Sequence, residues 1–158
     1  MIKRFLRTDN DPAALIMRLA LGLVMFPHGA QKVLGWWGGH GAAATIQGFS
    51  KMGLPDFITV LVMLAEFPGS LMLIFGLLTR LAAFGIGCVM LAAVVMVHAN
   101  VGFFMNWIGT QKGEGFEYHL LALGLSIALL IKGGGALSVD RAIAGGKPGF
   151  IASQATPF

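Results

Sequence analysis

Inside a run that is otherwise apolar, ITVLVMLAEFPGSLMLIFGLL over residues 58–78, stands a single acid, Glu66. A carboxylate there can hold or exchange a proton, because membrane burial makes its charge depend on whatever faces it. The second feature is His28, Gln31 and Lys32, spaced i, i+3 and i+4 just after Pro27. On a helix these share a side, so an imidazole, an amide and an ammonium are presented together. A third set, His98, Glu117 and His119, flanks a loop rich in aromatic residues. Glu66 with His28 has the makings of a proton-transfer pair. Lys32, Gln31, His98, Glu117 and His119 are candidate ligand-binding residues around it.

The elements needed to position these groups follow from composition. Of 158 residues, 56% are hydrophobic and 11% charged, against about 25% charged in an ordinary soluble domain. The chain therefore reads as an all-α integral membrane protein, a single-domain four-helix bundle with helices at about 12–34, 58–78, 81–99 and 118–132. Carrying Glu66 into the bilayer is affordable. Twelve Leu, Ile, Val and Phe residues in its segment favour insertion by about 4–7 kcal/mol, while one central carboxylate costs about 3 kcal/mol. Val62, Glu66, Gly69, Leu73, Gly76 and Arg80 form one stripe that should meet other helices rather than lipid.

Asp11 can cap the first helix ahead of Pro12, and Pro27 leaves the carbonyl near Leu23 without its donor, predicting a kink. Trp36 and Trp37 suit the headgroup layer, and AAATIQGFSKMGLP over residues 42–55 predicts a short interfacial helix in the first outer loop. Thr79 and Arg80 alone separate the second and third helices, which makes them antiparallel neighbours. Gly124 and Ala128 offer a close helix contact in the fourth. Leu137 to Ile143 reads as a short amphipathic segment, followed by a flexible tail over about 144–158.

The distribution of Lys and Arg sets the expected orientation. With both termini inside, Lys3, Arg4, Arg7, Arg80, Lys132, Arg141 and Lys147 face the cytoplasm, against Lys32, Lys51 and Lys112 outside. Arg18 lies within the first helix. Arg18 and Arg80 are expected to pair with Asp140 or with lipid phosphate. The net charge of +4 is thus a membrane signal, and no nucleic-acid partner is expected. Cys88 is the only cysteine, which excludes a paired-thiol mechanism. The basic, then apolar, N-terminus mimics a signal peptide, but it has no clean cleavage pattern and an embedded arginine, so a retained helix is expected. The stretch also lacks a Walker motif, a dinucleotide fingerprint and HExxH. His98 and His119 are the pair that a bis-histidine haem site would use, with capping or interfacial hydrogen bonding the plainer reading; no metal site is expected, and methionines read as core or lipid-facing filler.

RLALGLVMFPHGAQKVLGWWGG, AEFPGSLMLIFGLLTRLAA, MLAAVVMVHANVGFF and GFEYHLLALGLSIALLIKGGGALSVD, in that order over residues 13–141, resemble the DoxX family of small bacterial four-helix membrane proteins. The resemblance implies an inner-membrane, quinone-linked oxidoreductase subunit, with polar positions at Arg18, His28, Lys32, Glu66, Arg80, His98 and Glu117. Some thiosulfate-oxidising relatives carry a larger additional domain that is not in this sequence, so that substrate is not expected. A quinone is the first cofactor expectation, ahead of haem or flavin; a soluble or membrane redox partner and a homo-oligomer fit the same reading. The alternative is a non-enzymatic scaffold or small-ligand-binding subunit in which Glu66, paired with His28 or Lys32, locks the bundle. Solute transport is disfavoured because four helices leave little room for alternating access.

Overall fold

A computed structural model describes residues 2–145. The helices are α1 (Ile2–Leu6), α2 (Pro12–Val33), α3 (Gly41–Lys51), α4 (Asp56–Phe75), α5 (Thr79–Ala93), α6 (Glu117–Lys132) and α7 (Val139–Ala144). A single 3-10 turn, Trp36–Gly38, precedes α3, and a π-helical turn, Val94–His98, extends α5. The expected all-α membrane bundle is what forms. Helices α2, α4 and α5 with its π turn are long and apolar enough to cross a membrane. The fourth member, α6, has 16 residues, about 24 Å of helix, and packs against α5 and α2. Leu61, Leu64, Phe84, Leu121 and Ile131 point outward, as a lipid-facing band requires.

Local sequence sets the ends of these helices. Asp11 accepts a hydrogen bond from the Ala13 amide and caps α2, with Pro12 in the first turn. Lys132 lies 3.1 Å from Asp11 and holds its carboxyl below the usual carboxylate range. Gly76, at φ +66°, ends α4 in the left-handed conformation that suits glycine. The α3 helix falls where the interfacial segment was expected. The third spanning helix starts two residues earlier than the sequence predicted and loosens into π geometry before His98. The short α1 was not anticipated, and the amphipathic segment appears as α7. Most of the expected tail, and Lys147, lie outside the described residues.

One end of the bundle is tied together by arginines. Arg18, 1% exposed, donates from Nε to the Gly134 carbonyl, from Nη1 to Leu73 and Ile74, and from Nη2 to Ala136 and Leu137. A guanidinium has five N–H donors, and each is used. Arg80 reaches the carbonyls of Leu130, Ile131, Phe5 and Arg7. The expected pairing with Asp140 does not form. Asp140 instead accepts from the amides of Leu78 and Thr79 at 2.6 and 2.8 Å, an anion at the exposed donors of the α5 N-terminus. The reason is that helix ends and the glycine loop after α6 gather unpaired carbonyls here, and in a membrane these need donors more than the arginines need a carboxylate.

Replacing Arg18 by Ala would strip five carbonyls of their donor, and the fold should lose about 3 kcal/mol or more. Denaturant titration in detergent micelles measures this, and Arg18→Lys should not restore it because one ammonium cannot span the same carbonyls. Unchanged stability in either variant contradicts the clasp.

Candidate functional site

At the other end, polar groups converge on space rather than on one another's backbones. The contact that begins it is between α2 and α4. A Cβ on Gly29 would lie 2.5 Å from the Phe67 nitrogen and 2.6 Å from the Glu66 carbonyl carbon, so only glycine lets the two backbones come this close. Gly22, one heptad earlier, is less tightly pressed, a Cβ there lying 3.0 Å from the Ser70 carbonyl oxygen and 3.1 Å from Leu73 Cβ. Phe26 stacks on Phe67 with ring centres 5.7 Å apart and meets Trp37 edge-on. With α2 pressed on α4 at Gly29, Lys32 is carried directly over Glu66.

Glu66 is 3% exposed, and Lys32 Nζ lies 2.5 Å from its Oε2. That oxygen has no directed hydrogen bond. Its partner is the Lys32 ammonium, and the carboxylate, with about four acceptor positions, keeps capacity for a further donor. Buried charge is tolerated only when paired. Lys32, not His28, is the partner.

The pair opens onto a cavity of about 410 Å³, within the range of small-molecule sites. Glu66, Lys32, His28, His98, His119, Tyr118 and Glu114 line its wall; the rest is apolar, with Ile58, Val62, Val89, Phe49 and five methionines. Three of the four histidines thus share one space, while His40 sits ahead of α3 and is not among the lining residues. The rings of His98 and His119 are 4.1 Å apart, and Tyr118 is 5.4 Å from His119 and 6.4 Å from His28. His98 Nδ1 is 2.8 Å from the Glu114 carbonyl oxygen. Since that oxygen can only accept, Nδ1 carries the proton.

Two candidate ligand residues take other places. Gln31 donates to the Trp37 carbonyl and holds the 3-10 turn instead of lining the cavity; it lies about 60° to one side of His28 and Lys32 about 40° to the other, so about 100° of helix separates Gln31 from Lys32 and it falls at the edge of the shared side. Glu117 Oε1 accepts from the Met105 amide and Trp107 Nε1, pinning the loop before α6. Glu117 lines a second cavity of about 510 Å³ with Phe103 and Leu121, which shares Met105 and Tyr118 with the first. Tyr118 and Glu114 were not singled out from the sequence. Tyr118 had a signal, lying between two candidate residues; Glu114 acts through its main-chain oxygen, which residue type does not report.

The DoxX family model matches residues 13–99, which hold the α2–α4 contact, the ion pair and the π turn. The chain belongs to the DoxX family. It is 31% identical over 132 residues to "Inner membrane protein YqjF" of Escherichia coli (strain K12), covering 84% of this chain and 92% of that protein. It is 29% identical over 133 residues to "Putative oxidoreductase CatD" of Bacillus subtilis (strain 168), covering 84% and 88%. No solved structure matches. Family membership thus agrees with the fold, while the site must be argued from its own groups.

A double-mutant cycle isolates the pair. Lys32→Met leaves a buried carboxylate alone and should cost about 3 kcal/mol, whereas Lys32→Met with Glu66→Gln should return to within about 1 kcal/mol of the wild type. Additive losses in denaturant titrations contradict the pairing.

Proposed function

We propose that this DoxX-family protein is a redox-linked membrane subunit that binds a quinone-like molecule in the cavity beside Glu66. The observation that carries the reading is a buried Lys32–Glu66 ion pair forming part of the polar wall of a largely apolar cavity. A quinone head group has the matching character: a flat apolar body with oxygens that accept hydrogen bonds when oxidised and donate them when reduced. Lys32 or His28 donates to a carbonyl oxygen. Glu66 accepts the proton that a hydroxyl releases on oxidation, or returns it on reduction, with Lys32 stabilising the anion between turnovers. Met52, Ile58, Val62 and Met96 exclude water around the ring. Electrons pass to or from a soluble or membrane redox partner. The names of the two relatives, an inner-membrane protein and an oxidoreductase assignment, agree with this reading.

The orientation follows from charge. Lys3, Arg4, Arg7, Arg80, Lys132 and Arg141 lie at the arginine-clasped end or in helices docked on it. Placing that end in the cytoplasm gives N-in and C-in termini in a bacterial inner membrane and opens the cavity outward.

The scaffold reading rests on the same ion pair, and one experiment separates the two. Titrating purified protein with a short-chain quinone analogue should show saturable binding, weakened at least tenfold, about 1.4 kcal/mol, by Glu66→Gln and by His28→Ala. A folded Glu66→Gln protein that binds the analogue with wild-type affinity overturns the catalytic role and leaves Glu66 a packing element.

A further inference from the structure

The imidazole pair in the cavity wall has features that neither packing nor quinone binding requires. His119 is 7% exposed and its Nδ1 has no hydrogen-bond partner. A buried, unpaired ring nitrogen beside a cavity is costly unless something binds it. The neighbouring ring of His98, 4.1 Å away between centres, is fixed by donating Nδ1–H to the Glu114 carbonyl. That leaves its Nε2 lone pair free. A main-chain carbonyl holding the far nitrogen of an imidazole is the usual support of a metal-ligating histidine. The backbone agrees: α5 widens into a π turn over Val94–His98, closed by the Ala99 amide on the Val94 carbonyl at 2.8 Å. Such turns are rare and cluster at functional sites.

The remaining donors select the metal. Among the described residues no group of three or more His, Cys, Asp or Glu side chains could hold an ion, and the nearby acids are engaged, Glu117 by Met105 and Trp107 and Glu114 by the Asn106 amide. Thioethers supply what is left, since Met90, Met96 and Met105 line the same cavity. Two imidazoles with a thioether form a soft, neutral, low-coordinate donor set, which suits copper(I) rather than zinc or a hard divalent cation. A metal about 2 Å from each nitrogen lies about 3 Å from each ring centre, so two rings on one trigonal ion stand about 5 Å apart; rings 4.1 Å apart must part by about 1 Å to take one.

We propose that His98 and His119, with a methionine thioether from the cavity wall, form a binding site for one copper(I) ion. The site stands on imidazole and thioether geometry and does not depend on the quinone reading. From the sequence His98 and His119 are the pair a bis-histidine haem site would use, with capping or interfacial hydrogen bonding the plainer reading, and methionine reads as filler.

The test uses untagged full-length protein in detergent, in a Cys88→Ala background because Cys88 is exposed and a thiolate would capture copper by itself. Copper(I) alone is titrated in competition with bicinchoninate. One equivalent should bind per chain, with affinity lowered at least 100-fold by His98→Ala or His119→Gln and at least tenfold by Met96→Leu with Met105→Leu. X-ray absorption should show nitrogen and sulfur neighbours. His98 is only partly buried, so its substitution tests the site even where His119→Gln disturbs folding. No binding by the Cys88→Ala protein, or an affinity untouched by His98→Ala, overturns the site.

Discussion

The close approach of α2 to α4 at Gly29 is the constraint on which the rest of the site depends. It fixes the depth at which Lys32 meets Glu66, and so turns an acid that would be costly in hydrocarbon into half of an ion pair. A larger residue at Gly29 would separate the backbones before any side chain could respond. The pair then defines the polar wall of the cavity, and α5 and α6 complete it with histidine, tyrosine and methionine. Close glycine packing is a membrane device for bringing helices together where no hydrophobic force does so. Here its consequence is chemical as well as mechanical.

The two ends of the bundle handle polarity in opposite ways. At the clasped end each donor of Arg18 has a carbonyl, and Asp140 covers the α5 amides. Apart from the buried Thr79 hydroxyl, the polar groups there are spent on main-chain partners, which marks it as structure. At the cavity end, Glu66 Oε2 and His119 Nδ1 lack directed partners, and His98 is held by one nitrogen only. Buried polar atoms left in this state are rare in a finished core. Glu66 and His119 turn theirs toward an open space, whereas Thr59, Thr79 and Ser126 hold theirs among packed helices, and that separates a binding region from a packing one.

Much of this architecture was legible in the chain. The apolar runs, Asp11-Pro12, the outer interfacial helix and the short α4–α5 turn announced themselves through composition and capping chemistry. So did the convergence of Glu66 with the face bearing His28 and Lys32, because helical spacing and depth both follow from a regular rise. What spacing left open was which cation takes the acid; the backbone approach at Gly29 settles it for Lys32. Arg18 and Arg80 were misread because carbonyl acceptors carry no residue-type signature. Gln31 and Glu117 were misplaced for a related reason: each serves a loop whose path is set by irregular backbone, including Trp37 at φ 50°. The π turn before His98 likewise has no periodic signal.

The central claim is that Glu66 is an ionised carboxylate held by Lys32 inside the bundle. The most direct measurement is the infrared difference spectrum between wild type and Glu66→Gln in lipid at neutral pH, with glutamate carboxyl carbons isotopically labelled. The account predicts loss of a carboxylate stretching band, and a shift of that band in Lys32→Met. Loss of a protonated carboxylic acid band instead, with no response to Lys32→Met, would contradict it.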